Sequence, residues 1–139
     1  MSAPPDKLSI VVFSSTFERV HYALVMAAAA IASNTPVTLF FTMGAARALL
    51  IDSGWKRLPS DEAASAEAMD DRFKARGVGS FEELLSACVV LGVCFQVCEM
   101  GLVALGIDKN QLRPDVPLDL GGVVTFLADA SKDGAMLFV

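Results

Sequence analysis

The chain has 139 residues, the size of one globular domain that buries its own apolar core, and its formal net charge is −5 at pH 7. Its hydrophobic fraction is 54%, above the roughly 45–50% that soluble domains average, so we expect apolar surface that self-association would cover. Acidic residues concentrate between Asp61 and Asp71, and the sequence has no basic stripe, which argues against nucleic-acid binding through phosphate neutralisation.

The cysteine count and the amino-terminal sequence indicate a reducing compartment. Three cysteines, and a start without the basic and apolar stretches of an export signal, predict a cytoplasmic protein with free thiols. Residues 84–107 are long enough to span a bilayer, but Gly92 and Gly101 divide them, and Gln96 and Glu99 would be costly in lipid. We predict a buried helix followed by a buried strand there, and no membrane insertion.

The first predicted elements are a strand and a helix. Residues 8–14 form a β-branched run that is typical of a strand covered on both faces. Ser15 as N-cap and Glu18 three positions later form a capping-box pattern, which predicts a helix that runs to about Ser33. Residues 34–36, Asn-Thr-Pro, end that helix.

A second strand is predicted at 37–42, followed by a turn at Met43 and Gly44 into a helix at 45–50. Residues 52–79 are less regular, because glycines and a proline interrupt an acidic, alanine-rich helical piece. We predict that this segment is an irregular helical excursion or a lid.

The third predicted strand contains two of the three cysteines. Ser80 and Glu83 repeat the capping signature, so a helix is predicted from there to about Leu91. An apolar strand at 93–98 and a helix at 99–107 follow.

After a loop at 108–117, a helix at about 120–130 and a final strand at 135–139 complete the pattern. Strands separated by helices form right-handed crossovers, and these produce a parallel sheet covered on both faces. We therefore predict one α/β domain over residues 1–139, a three-layer α/β/α sandwich with a mostly parallel sheet.

Ligands of parallel sheets bind outside the carboxyl ends of the strands. The predicted order brings three groups to that edge: Ser14, Ser15 and Thr16 after the first strand, Thr42, Met43 and Gly44 after the second, and Cys98, Glu99 and Met100 after the third. Cys98 is the candidate catalytic residue, because a thiol between a strand and a helix faces free backbone N–H groups that favour the thiolate. The other eight are candidate ligand-binding residues.

Two features oppose a catalytic role for Cys98. A carboxylate at Glu99 that faced the thiol would disfavour a second negative charge beside it. Free cysteine is also among the most buried residue types, so packing is its ordinary role. Both interpretations, a reactive thiol and a lining residue, stay open at this point.

The remaining cysteines and the single histidine indicate no further site. Cys88 lies in a helical pattern and is interpreted as a buried apolar residue. Cys94 and Cys98 are four strand steps apart, roughly 13 Å, which is too far for a disulfide. Because His21 is the one histidine and the cysteine spacings match no common zinc pattern, we expect no metal and no cofactor.

Several short motifs stand in order along the chain: Val11-Val12-Phe13-Ser14, Leu39-Phe40-Phe41-Thr42, Cys98-x-Met100 with Leu105-Gly106-Ile107, and Gly121-Gly122-Val123 with Leu137-Phe138-Val139. Together they resemble the DsrE/DsrF-like family over nearly the whole chain. The resemblance implies a parallel five-stranded sheet of flavodoxin- or Rossmann-like topology, a trimeric or hexameric assembly, and a cysteine that carries sulfur as a persulfide. That cysteine corresponds to Cys98. The chain departs from the family pattern at Met43-Gly44 and at Glu99.

Two functions follow. In the first, the protein is sulfurtransferase- or sulfur-carrier-like: Cys98 takes sulfur from a donor and passes it to an acceptor protein, while Thr42, Ser14 and nearby amides hold the terminal sulfur. In the alternative, the protein is a non-catalytic homo-oligomer that binds a small ligand or a protein in the same crevice.

Overall fold

Five parallel strands form one sheet in the order β4-β3-β2-β1-β5 within residues 3–139, which a computed structural model describes. The strands are β1 (Leu8–Val12), β2 (Val37–Phe41), β3 (Cys94–Cys98), β4 (Leu118–Gly121) and β5 (Ala135–Phe138). Every neighbouring pair is parallel, so the carboxyl ends of all strands lie at one edge. The predicted α/β fold with a parallel sheet is confirmed.

Helices connect the strands and cover the sheet. In the same described segment the α-helices are α1 (Phe17–Ala32), α2 (Ala66–Ala75), α3 (Phe81–Leu91), α4 (Glu99–Leu105) and α5 (Val123–Asp129). Short 3₁₀ helices lie at Met43–Leu49, Gly54–Arg57 and Lys109–Gln111. The segment after β2, predicted as an α-helix at 45–50, is therefore a 3₁₀ helix that begins two residues earlier.

The main core lies between one face of the sheet, here called the first face, and the paired helices α1 and α3. Side chains of a strand alternate between the two faces, and the apolar set on the first face is buried. Its strand members are Leu8, Ile10, Val12, Val37, Leu39, Phe41, Phe95 and Val97. This alternation explains why the central strands look almost continuously apolar in sequence.

The opposite face, here called the second face, is more lightly covered. Helix α5 crosses it, and Phe126 is the one buried residue of that helix. The Phe126 ring stacks on Phe40 with 4.9 Å between ring centroids, and Cys98 completes a small apolar cluster separate from the main core. Around this cluster, six large apolar side chains stay exposed: Phe13, Val123, Val124, Leu127, Met136 and Phe138.

The start of α1 differs from the predicted capping box. Thr16, and not Ser15, occupies the N-cap position, and its side chain makes no cap hydrogen bond. The Glu18 carboxylate instead accepts hydrogen bonds from the Ser60 hydroxyl and from the two backbone N–H groups that follow it. The acid assigned to a local cap therefore fastens the 52–79 segment to α1.

That segment packs against the body of the domain through Trp55. The indole is 3% exposed, stacks on Phe81 with ring centroids 5.0 Å apart and packs at a tilt against Phe17 with ring centroids 5.5 Å apart. The backbone N–H of Phe17 also donates to the Pro59 carbonyl at 2.8 Å. The excursion is thus held by aromatic packing and by main-chain hydrogen bonds.

Strand β4 is absent from the sequence prediction, which places a loop up to 117 and a helix from 120. Leu118–Gly121 pairs with β3 instead, and α5 begins only at Val123, after Gly122. All four β4 residues are partly or fully exposed, so the local pattern is weak and pairing with β3 decides their conformation.

The apolar stretch 84–107 divides into α3, β3 and α4, as predicted. Gly92 ends α3 in the left-handed conformation, with φ of +92°, which a residue with a side chain rarely adopts. Among residues 3–139, no helix combines the length and the apolar character that crossing a bilayer requires.

Candidate functional site

The carboxyl edge of the sheet brings residues from β2 and β3 into close contact. Cys98 ends β3 and is the N-cap of α4, and Thr42 directly follows β2. A Cβ placed on Gly101 would lie 2.8 Å from the Met43 backbone nitrogen and 3.3 Å from the Thr42 hydroxyl oxygen. The chain after β2 therefore lies directly against the first turn of α4, and glycine at 101 permits this approach.

The sulfur of Cys98 occupies the centre of this arrangement. Its Sγ accepts a hydrogen bond from the Gly101 backbone N–H at 3.4 Å, so the thiol caps α4. The side chain is 1% exposed and packs against Phe40 and Phe126. The site thus combines a backbone donor for sulfur with an apolar cover.

The backbone after β2 is strained beside this sulfur. Met43 has φ of +49°, in the left-handed region, which costs of order 1 kcal/mol for a residue with a side chain. The next residue, Gly44, is also in a tight contact, because a Cβ there would lie 2.7 Å from the Ser15 Cβ. The predicted residues at 15 and 42–44 are thus neighbours at one edge.

Ser14 and Thr16 lie at the same edge but bond to each other. The Ser14 hydroxyl accepts the Thr16 backbone N–H at 3.2 Å, and the two hydroxyl oxygens are 3.0 Å apart. Their polar atoms therefore first serve a local turn between β1 and α1. A ligand that used them would have to compete with that turn.

Glu99 and Met100 are exposed, in contrast to the neighbouring Cys98. Glu99 borders a cavity of about 450 Å³, whose apolar lining is Leu102, Val103, Ile107 and Leu120. Cys98 packs instead in the small cluster on the second face. The carboxylate and the thiol therefore have different surroundings, and Cys98, not Glu99, caps the helix.

The other two thiols are placed less favourably for nucleophilic chemistry. Cys88 donates to the Leu24 carbonyl at 3.7 Å, and burial raises its pKa to about 11. Burial also raises the pKa of Cys94, with the Asp119 and Asp129 carboxylates adding to the effect. Both remain protonated at neutral pH, and the thiolate is the reactive form. All three cysteines are free.

His21 has a structural environment. It is 3% exposed, its Nε2 lies 2.8 Å from the Gly79 carbonyl oxygen, and its ring packs on Phe73 at 4.5 Å. Over the described range 3–139, no three His, Cys, Asp or Glu side chains are grouped so that they could hold a metal ion.

Two residues of the site escape the sequence prediction. Gly101 interrupts an apolar helical pattern, and such a glycine is a sign of close backbone approach. Phe126 is the one aromatic residue of α5, but nothing local relates it to a cysteine 28 positions earlier. Its role becomes visible only when α5 is placed across the sheet.

Comparison with known proteins supports this architecture. MTH1491, a protein of unknown function from Methanobacterium thermoautotrophicum, superposes with a TM-score of 0.64 at 15% identity, covering 96% of this chain and 98% of that one. The ychN protein from E. coli gives 0.57 at 17% identity, with coverage of 96% and 99%. These similarities establish the fold. No curated protein matches the sequence significantly.

The sequence profile of one family also matches the chain. It is described as the DsrE/DsrF/DrsH-like family, and it covers residues 57–138. That range is more than half of the chain and includes β3, Cys98 and α4. The chain therefore belongs to the DsrE/DsrF/DrsH-like family.

Proposed function

We propose that this protein handles sulfur, and that Cys98 carries it as a persulfide. The observation that carries the proposal is the position of the Cys98 sulfur, at the β3–α4 junction with the Gly101 N–H directed at it. A backbone donor at 3.4 Å stabilises the negative charge that a sulfur carrier must hold. Membership of the DsrE/DsrF/DrsH-like family also supports the proposal, because the resemblance to this family implies a cysteine that carries sulfur.

The chemistry is an exchange without net oxidation. The Cys98 thiolate attacks the outer sulfur of a donor persulfide, the donor S–S bond breaks, and the donor leaves as its thiolate. A new S–S bond then joins Cys98 to the transferred sulfur. In the second half, an acceptor thiolate attacks that terminal sulfur and releases the Cys98 thiolate.

The surroundings of the sulfur suit the terminal atom of a persulfide. Thr42 and Ser14 are hydroxyl-bearing residues at the same edge and are the proposed partners of that atom. The apolar contacts with Phe40 and Phe126 would keep water from the bound sulfur. Cys88 and Cys94 are weaker candidates, because Cys88 lies in the main core and Cys94 begins β3, at the opposite end of the strand from Cys98.

Mass spectrometry of the intact protein after incubation with inorganic polysulfide tests the proposal. The wild-type chain and Cys94→Ser, the matched control, are expected to gain a sulfur that a reducing agent removes. Cys98→Ser is expected to gain none. If the adduct persists in Cys98→Ser, or if no adduct forms under conditions that load an established persulfide carrier, the proposal is wrong.

The alternative is a non-catalytic homo-oligomer that binds a small ligand or a partner protein at the same edge. Its supporting observation is that Cys98 is 1% exposed and packs with two phenylalanines, as an ordinary apolar residue would. The polysulfide experiment separates the two functions, because a lining cysteine gains no sulfur. Assembly of several copies, as trimer or hexamer, is compatible with both functions and is proposed for either.

A further inference from the structure

Cys98 is buried, and one side chain of α5 is among the groups packed against it. Both Cys98 and Phe126 are 1% exposed, and Phe126 stacks on Phe40 next to the sulfur. A thiol that exchanges sulfur with another molecule must be reached by that molecule. The closed arrangement therefore needs an opening movement if the proposed function is correct.

Helix α5 is the element best placed to move. It has seven residues, and one of them is buried. Val124 is 82% exposed and Leu127 is 53% exposed, so most of the helix surface faces outward. Few buried contacts oppose its displacement, and such elements open at low free-energy cost.

The amino-terminal end of α5 has the features of a pivot. Gly121 pairs with Cys98 in the sheet, and Gly122 is the N-cap of the helix. A Cβ built on Gly122 would meet nothing within 4 Å, so the backbone there is in open space. Two successive glycines give the chain conformational freedom directly beside the sulfur.

The carboxyl-terminal end of α5 is tied down by a polar cluster. Asp129 accepts a hydrogen bond from the Thr38 hydroxyl of β2 at 2.9 Å and forms an ion pair with Lys7, the residue before β1. The Lys7 ammonium also donates to the Asp129 backbone carbonyl at 3.0 Å. These bonds attach the far end of the helix to the amino ends of two strands.

We propose that α5 is a lid over Cys98, with Gly121–Gly122 as its pivot, Phe126 as the part that covers the thiol, and Asp129 as its latch. Release of Asp129 from Lys7 and Thr38 lets the helix swing away and admits the sulfur donor. The sulfur chemistry rests on the proposed function, but the movement itself is measurable without any sulfur transfer.

The test measures how fast iodoacetamide alkylates each cysteine of the folded protein, resolved by peptide mass spectrometry. Asp129→Asn weakens the latch, and we expect about a fivefold faster reaction of Cys98, the effect of losing one partly exposed charged pair. Thr38→Val removes one latch bond while it conserves shape, and Phe126→Ala removes the cover. Both variants are also expected to speed the reaction.

Two controls make the measurement specific. Cys88, buried in the main core, reports global unfolding, and its rate is expected to stay unchanged in the latch variants. Asp71→Asn breaks a more exposed ion pair, with Lys74 on α2, and is expected to leave the Cys98 rate unchanged. Cys94 is unsuitable as a reference, because the Asp129 carboxylate helps to raise the pKa of its thiol and Asp129→Asn would change that pKa.

Two results would overturn the lid. In one, the Cys98 and Cys88 rates rise together, which indicates unfolding of the whole domain. In the other, the Cys98 rate is the same in wild type and in all three variants. Failure of the sulfur proposal would give a different result. In that case the latch variants would still change the alkylation rate of Cys98, but Cys98→Ser would gain as much sulfur from polysulfide as the wild-type chain.

Discussion

Gly101 of α4 and Met43 of the preceding 3₁₀ helix touch through their backbones, with 2.8 Å between the Met43 nitrogen and the position of a Cβ on residue 101. This contact brings the chain after β2 against the helix that Cys98 caps. The left-handed φ of Met43 is part of the same tight crossing. The geometry around the sulfur therefore depends on the smallest residue at 101.

Gly101→Ala is expected to lower the free energy of unfolding by about 1–3 kcal/mol, because the added methyl group must displace backbone as well as the Thr42 side chain. Chemical denaturation measures this change. Gly122→Ala is the matched control: its added methyl group meets open space at a φ of −124°, so a change within about 0.5 kcal/mol is expected. Equal effects of the two substitutions would contradict the crowded contact at 101.

The assembly proposal predicts a particle mass well above the 14.7 kDa of one chain. Size-exclusion chromatography with light scattering measures it. Phe138→Glu places a charge among the exposed apolar side chains of β5, outside the α5 helix, and is expected to reduce the mass. Val90→Glu, at a similarly exposed position of α3, is the control and should leave it unchanged. A monomeric wild-type protein would exclude the proposed assembly.

The Glu18 carboxylate is expected to stabilise the folded protein by an amount that decreases at acidic pH. Burial raises its pKa, but hydrogen bonds from the N–H groups of residues 62 and 61 and from Ser60 outweigh this, so the folded-state pKa lies below the ordinary value of 4.5. A lowered pKa means that the stabilisation is complete above that ordinary value and is lost as the pH falls through the folded-state value.

Glu18→Gln is accordingly expected to lower the free energy of unfolding by about 1 kcal/mol near neutral pH, with a smaller difference from wild type at about pH 3. Denaturant titrations at both pH values measure the two differences. A difference that did not shrink in acid would show that the carboxylate charge is unimportant for holding residues 60–62.

Trp55 has a buried indole N–H for which the described residues offer no acceptor. Trp55→Phe keeps most of the stacking on Phe81 and removes the unpaired donor, so we expect a loss of less than about 1 kcal/mol. Trp55→Ala leaves a cavity instead and should cost about 3–5 kcal/mol. A loss for Trp55→Phe as large as that expected for Trp55→Ala would show that the indole N–H has a hydrogen-bond partner in solution.

Strand β3 and both ends of α3 are predictable because their signals are local. An apolar run preceded by a glycine indicates a buried strand after a helix, and Ser80 indeed accepts the Glu83 backbone N–H as an N-cap should. The same local reasoning placed Cys98 at a strand–helix junction. Parallel pairing then brought the residues after β1, β2 and β3 to one edge.

The features that the sequence does not predict share a physical cause, which is that residues distant in the chain determine the local structure. The Glu18 carboxylate bonds to residues 60–62 and not to its own helix, and β4 becomes a strand because β3 offers it a partner. The burial of Cys98 likewise depends on Phe126 in a helix whose start was predicted too early. No local pattern contains these contacts, since each is settled by tertiary packing.

The position of β1 between β2 and β5 has a consequence for biosynthesis. Leu8 pairs with Val37 on one side and with Ala135 on the other, and the Val11 carbonyl accepts the Val139 N–H. During translation, one edge of β1 therefore stays unpaired until residues 135–139 have left the ribosome. An apolar strand with an open edge can pair with other unfinished chains, so β1 is open to such pairing until β5 has been synthesised.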